Sequence, residues 1–314
     1  MAEIKKIEFN EYMVDDHART KVTTMGNVIE LTTTTRPSRG SPCIKLDKDH
    51  YLDCRTGEVL DYDHIEDRSG SKRSIHNTME HIRCLVNTNV TEPKNVRWIT
   101  LTYAENMTDT DRLYSDFKRF MTRLRRWCHK NGYGRPEYIS VIEPQARGAW
   151  HAHLFLLWDT PAPYIDNNTV ISPLWGQGYT KTKALGDCDN IGAYFSAYLA
   201  DLPYDELDLL STAEKEKALF GNQVTEKAYE NEQGLIKEKK FIKGGRLYMY
   251  PVGMNIVRTS HGVKKPVIEV MPRCEAKEKV SSAKLTYSCG YVVSFDDYGS
   301  SSSVFKSYYN TKRR

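Results

Sequence analysis

The chain has 314 residues, 39% of them hydrophobic, which suits one or two globular domains and excludes a disordered polymer. The formal net charge is only +4, and no apolar run approaches the roughly 18 residues of a membrane span, so no membrane role is expected. The start, Met1-Ala-Glu-Ile-Lys-Lys6, lacks the apolar stretch of a secretory signal, and the seven cysteines are odd in number and irregularly spaced, so a reducing cytoplasm is expected.

Residues 1–42 are polar and threonine-rich and read as a flexible segment, with a short strand at Val28–Leu31 and a loop at Arg36–Gly40. Residues 43–94 read as a strand and helix region: two short strands between Cys43 and Tyr62 joined at Thr56-Gly57, then a helix after Ser74 with Ile75, Met79, Ile82 and Val86 on one face. The segment 95–203 is clearer. Val96–Tyr103 alternates as a strand. Thr108-Asp-Thr-Asp111 then starts a long helix with the stripe Leu113, Phe117, Phe120, Leu124 and Trp127. Strands follow at Tyr138–Ile142 and Trp150–Trp158, linked through Arg147-Gly148, then a helical turn near Ile171–Trp175 and a strand at Tyr179–Lys183. A helix from Ile191 to Leu202 ends at Pro203, which cannot continue it. Residues 204–314 read as a basic accessory region, in which Ser300–Ser303 is a turn or flexible loop and Tyr308–Arg314 a disordered basic tail or a DNA contact. The order of elements gives an α+β fold with a central antiparallel sheet, helices packed on it, and N- and C-terminal extensions.

The chemistry lies in the middle of the chain. In a strand, alternate side chains share a face, so His151 and His153 point the same way. Glu143 ends the preceding strand; if the two strands pair as a hairpin, its carboxylate returns beside the imidazoles. That would make a two-histidine, one-carboxylate site with open positions, suited to Mn2+ or Mg2+ acting on phosphate. The alternative is that the pair are ordinary polar residues of a half-exposed strand. Tyr194 and Tyr198 stand four apart in the last helix and would lie side by side. A phenol ionises near pKa ~10 and needs activation to attack phosphate, which a metal provides by neutralising its oxygens. With twenty tyrosines in the chain, core packing is the alternative role of this pair.

Basic residues cluster unevenly. One group runs from Arg112 to Lys130, and a second from Lys237 to Arg273, with acid-rich Asp205–Glu232 between them. They form either a face for a polyanion or a solvated surface. Under the first reading, Arg147, Lys181, Lys183, Lys240, Lys243, Arg246, Arg258, Lys264 and Lys265 contact DNA.

Three segments in this order resemble the HUH endonucleases, specifically the rolling-circle replication initiators of small Gram-positive plasmids and phages. They are Trp98-Ile-Thr-Leu-Thr-Tyr103, then Glu143 with Gly148-Ala-Trp-His151-Ala-His153-Leu-Phe155, then Tyr194-Phe-Ser-Ala-Tyr198. The resemblance implies a sheet of ferredoxin-like type and metal-assisted nicking and rejoining of a single-stranded or hairpin origin. The 5′ phosphate would be captured on tyrosine and a 3′ hydroxyl left as primer. By position it makes His151 and His153 metal ligands with Glu143 the third, Tyr194 the leading nucleophile and Tyr198 the second. Many relatives carry a lysine just before the second tyrosine; here Ala197 stands there, so that function must come from elsewhere. No GxxxxGK[ST] occurs, so unwinding is expected from a host helicase and synthesis from a host polymerase, in a bacterial cytoplasm. Rival readings are a transposase or mobilisation relaxase of the same superfamily, a non-haem iron oxygenase, and a non-catalytic DNA-binding repressor.

Overall fold

A computed structural model describes residues 3–8, 14–35, 43–62, 72–186, 190–196, 201–219, 224–230, 236–295 and 300–312. The chain divides into two compact units, residues 67–265 and residues 1–66 with 266–314. The segments expected from the sequence were linear; these units interleave along the chain.

The unit 67–265 is mixed α+β. It holds helices α1 (Lys72–Asn89), α2 (Thr110–Lys130), α3 (Ser172–Trp175), α4 (Ile191–Ser196) and α5 (Thr212–Leu219). Its strands are β1 (Val96–Thr102), β2 (Glu137–Pro144), β3 (Trp150–Leu157), β4 (Thr180–Ala184), β5 (Leu202–Pro203), β6 (Val224–Glu230), β7 (Ile236–Ile242) and β8 (Val257–Thr259). Five form one antiparallel sheet in the order β4-β1-β3-β2-β8, with the histidine strand β3 at its centre. A smaller sheet, β5-β7-β6, has its own apolar cluster including Leu202, Leu207, Leu210 and Ile242.

Local sequence explains the frame around the site. Asp109 caps α2 by accepting from the backbone N–H groups of Asp111 and Arg112, as an N-terminal carboxylate should. The buried stripe of α2, from Leu113 through Phe117, Phe120 and Leu124 to Cys128, packs into the main core with Ile99, Leu101, Leu154 and Leu156 of the sheet. The β2–β3 hairpin turns at Gln145–Gly148, where Gly148 adopts φ 85° and donates to the Gln145 carbonyl at 2.8 Å. A left-handed backbone favours glycine there.

The second unit contains a six-stranded antiparallel sheet in the order Glu3–Ile7, Lys284–Phe295, Ser300–Asn310, Val28–Thr34, Arg19–Met25, Val267–Pro272. The helix Arg273–Lys279 packs against it through Ala276, beside Val22 and Leu31. A three-stranded sheet adds Cys43–Lys45, His50–Asp53 and Glu58–Asp61, one strand more than expected.

Several expectations are corrected. The N-terminal segment read as flexible supplies two full strands of the six-stranded sheet, Arg19–Met25 and Val28–Thr34. Ser300–Ser303 is strand rather than loop, because it pairs residue by residue with Val292–Phe295 of the preceding strand. Tyr308 and Tyr309 belong to that strand too, with Tyr308 buried, so they are not a loose tail. Leu202 and Pro203 pair with Ile242 and Phe241 as strand β5, so the last helix of the middle segment does not reach Leu202. No helix of the described residues is long and apolar enough to cross a membrane. Among the described residues, Cys54, Cys128, Cys274 and Cys289 are free thiols.

Candidate metal centre

The hairpin register builds the site. Glu143 on β2 stands directly opposite His151 on β3, and Val141 opposite His153. On the other side of β3, Thr102 faces His151 and Thr100 faces His153, with the Thr100 hydroxyl 3.3 Å from His153 Nδ1. The Glu143 carboxylate therefore comes back alongside both imidazoles. Its Oε2 lies 3.0 Å from His151 Nε2 and 2.9 Å from His153 Nε2.

These three side chains are the group among the described residues whose donor atoms lie close enough together to hold one metal ion. Cis ligands on an octahedral ion at about 2.1 Å stand roughly 3 Å apart, the spacing of Oε2 from each Nε2. Two neutral imidazoles and one carboxylate suit a borderline or hard divalent cation. The donor set and its spacing fit such an ion.

Glu143 is 4% exposed. Burial alone would push its carboxyl up. Hydrogen bonding with His151 and His153, together with the charge of Arg246, outweighs that and holds it below the usual carboxylate range. Burial lowers His151 below the ordinary imidazole range, with Glu143 opposing and the neighbouring His153 reinforcing the shift. At neutral pH these directions keep the Glu143 carboxylate ionised and the His151 imidazole uncharged, the charge states a metal ligand needs.

Arg246 is the surprise of the site. The sequence reading set it on a DNA-facing surface, but its side chain is 10% exposed and turned inward. Its Nη1 donates to Glu143 Oε1, and its Nη2 to Glu206 Oε2 at 2.9 Å. Glu206 comes from the acid-rich stretch Asp205–Glu232. Neither partnership is visible in local sequence, since 103 and 40 positions separate the partners.

Helix α4 lies over the histidine face. Phe195 is 3% exposed and sits edge-on to His153, Trp98 and Phe155, at centroid distances of 5.6, 5.4 and 4.7 Å. The helix is tied to α1: Asn87 accepts from the Gly192 N–H at 2.8 Å and donates to Asn190, whose Oδ1 accepts from the Ala193 N–H. The backbone of Tyr194 belongs to α4; its side chain, and Tyr198 and Ala197 altogether, lie outside the described residues.

The remaining cations divide by face. Lys181 and Lys183 stand opposite Thr100 and Trp98, so they share the face of the histidines, and the Lys183 ammonium lies 6.0 Å from the Trp98 ring centre. Arg258 stands opposite Ser140 on the other face and stacks on Tyr114 of α2, 3.4 Å from its ring centre. Arg147 is exposed at the hairpin turn but donates to the Tyr103 carbonyl at 2.8 Å. Lys240 pairs with Glu226, while Lys243, Lys264 and Lys265 are exposed on loops.

An α+β sheet whose central strand carries two histidines, flanked by a carboxylate and roofed by a helix, defines the molecule as the bearer of a candidate metal centre. Residues 96–202, about a third of the chain, match the family of replication-associated proteins of the ORF2 type. This likeness points to a role in DNA replication and to DNA as a partner. No curated protein and no solved structure matches the chain.

Proposed function

We propose that the protein initiates rolling-circle replication by nicking and rejoining single-stranded origin DNA through a tyrosine transesterification. The reading rests on one observation: Glu143, His151 and His153 converge within hydrogen-bonding distance on the sheet face roofed by α4, the helix that carries Tyr194.

In this reading Glu143, His151 and His153 hold Mn2+ or Mg2+. When bound, the ion supplies Lewis-acid neutralisation of the non-bridging oxygens of the scissile phosphate. The Tyr194 phenol gives up its proton and its oxygen bonds to phosphorus. The bond from phosphorus to the 3′ oxygen breaks, and that oxygen takes a proton to become a free 3′ hydroxyl. The 5′ phosphate stays on the protein as a phosphotyrosine ester, so rejoining needs no nucleotide triphosphate. Tyr198 serves a second transfer. Lys181 and Lys183, on the histidine face, hold the backbone of the strand, a role for which Ala197 offers no charge. Lacking a phosphate-loop motif, the protein relies on a host helicase for unwinding and a host polymerase for extension of the primer.

The test is denaturing electrophoresis of the protein with Mn2+ and labelled single-stranded oligonucleotides tiling the DNA around its gene. A covalent adduct on one oligonucleotide, lost in Tyr194→Phe, is the expected result. Adduct formation at full rate by Tyr194→Phe but not by Tyr198→Phe would exchange the two roles. Specific binding without cleavage on any oligonucleotide would favour a repressor instead.

A further inference from the structure

The guanidinium that reaches the candidate metal centre comes from beyond residue 202, outside the segment that matches the replication family. It arrives on a built support. The turn Lys243-Gly-Gly-Arg246 follows β7, with Gly244 at φ 74° and its N–H donating to Asp201 Oδ1 at 2.8 Å. Gly245 packs so closely that a Cβ built there would stand 2.9 Å from the Leu202 Cβ. Just beyond, Tyr250 is fully buried and donates to the Ile142 carbonyl, one residue before Glu143. The arginine is thus held by its main chain, not resting by chance on an acidic neighbour.

The two oxygens of Glu143 have different partners. Oε2 faces both imidazoles, and Oε1 takes Arg246. Arg246 is shared with Glu206, which is about a third exposed on its other side. A fixed positive charge one carboxylate away from a divalent ion repels it, and because both side chains are buried the repulsion is weakly screened. Glu206 cancels part of that repulsion.

We propose that Arg246 is an internal charge competitor of the metal: it leaves Glu143 a single oxygen for ligation and keeps the affinity of the site for divalent ions low, with Glu206 setting how low. The proposal rests on the metal reading above. Through Glu206 and Arg246 it gives the region beyond residue 203 a direct part in a centre whose ligands all lie in the family-matched segment.

The sign of one measurement separates this from a structural role. An arginine that merely props up the site would, when removed, loosen the metal; a competitor, when removed, tightens it. Mn2+ is titrated into the metal-free intact chain and free ion is read by its electron paramagnetic resonance signal. Wild type is compared with Arg246→Gln, Arg246→Lys, Glu206→Gln and, as a site control, His151→Ala. Arg246→Gln is expected to bind Mn2+ at least about tenfold tighter than wild type. Arg246→Lys, which keeps the charge, should stay within about threefold, and Glu206→Gln should bind about threefold or more weakly. Unchanged or weaker binding by a folded Arg246→Gln overturns the proposal. If that variant is unfolded, Glu206→Gln decides, and unchanged or tighter binding there overturns it. Equal binding by wild type and His151→Ala removes the metal site itself, and this inference with it.

Discussion

Gly192 on α4 lies against the Arg83 carbonyl of α1 so closely that a Cβ would collide with it, and would stand only 2.8 Å from Asn87 Oδ1. The contact is with main chain, which yields less readily than a flexible side chain. Gly192→Ala should therefore push α4 off the histidine face and cost about 1–3 kcal/mol, the usual range for overpacking. Thermal unfolding followed by circular dichroism measures the loss, and adduct formation should fall more than stability alone explains. An unchanged melting temperature with unchanged adduct yield would show that α4 is not set by this contact.

Phe195 fixes the same helix from the sheet side. Truncation to Ala removes a ring packed among Trp98, His153 and Phe155 and should destabilise the unit by about 3–5 kcal/mol. Phe195→Leu should recover more than half of that in urea titrations, because it refills most of the volume. Equal losses for the two variants would mean that ring-edge contacts, not volume, hold the helix.

Removing a ligand should separate chemistry from DNA binding. His151→Ala, His153→Ala and Glu143→Ala are each expected to lower Mn2+ affinity and cut nicking at least about a hundredfold, as loss of a metal's electrostatic contribution does. Affinity for single-stranded DNA in filter binding without metal should change less than threefold. Normal cleavage by His151→Ala would remove the metal centre from the reaction.

Lys181 and Lys183 are testable through salt. Every lysine–phosphate pairing abolished should flatten the slope of log affinity against log salt by about 0.7 for a single strand. The double alanine variant should flatten it by about 1.4, uniformly across sequences. An unchanged slope would place the DNA backbone elsewhere.

The metal-free protein should weaken in acid, in two stages. His151 is lowered from its usual 6.5 in the folded state, so the unfolded chain takes up a proton first and stability falls as pH drops through that value. Glu143 is lowered from 4.5, so its contribution is present above that value and is lost below it. Urea midpoints between pH 7.5 and 4 check the sign, and His151→Gln should flatten the upper stage. A wild-type midpoint independent of pH from 7.5 to 5.5 would contradict the buried neutral imidazole.

The centre was legible because its geometry is local. A hairpin with a glycine turn returns Glu143 to His151 by register alone, and strand alternation sets His153 beside them. Helix α2 was equally readable from its Asp109 cap and apolar stripe. What escaped was long-range. Ser300–Ser303 has the composition of a loop and becomes strand through pairing within a sheet that joins distant parts of the chain. Leu202 continues a helical pattern until its pairing with Ile242 takes precedence. Arg246 reads like any cation of a basic stretch; only the packing of Tyr250 and the Gly244-Gly245 turn aims it at Glu143.

The six-stranded sheet has a consequence for how the molecule is made. Its strands Arg19–Met25 and Val28–Thr34 leave the ribosome long before Ser300–Asn310, the strand with which Val28–Thr34 pairs. The unit 67–265 is synthesised entirely in between. At a few to tens of residues per second, the early hairpin waits many seconds for the strand that completes its sheet. Nascent chains should therefore acquire protease resistance in residues 67–265 first, and the hairpin made before them should be among the last segments to find its place.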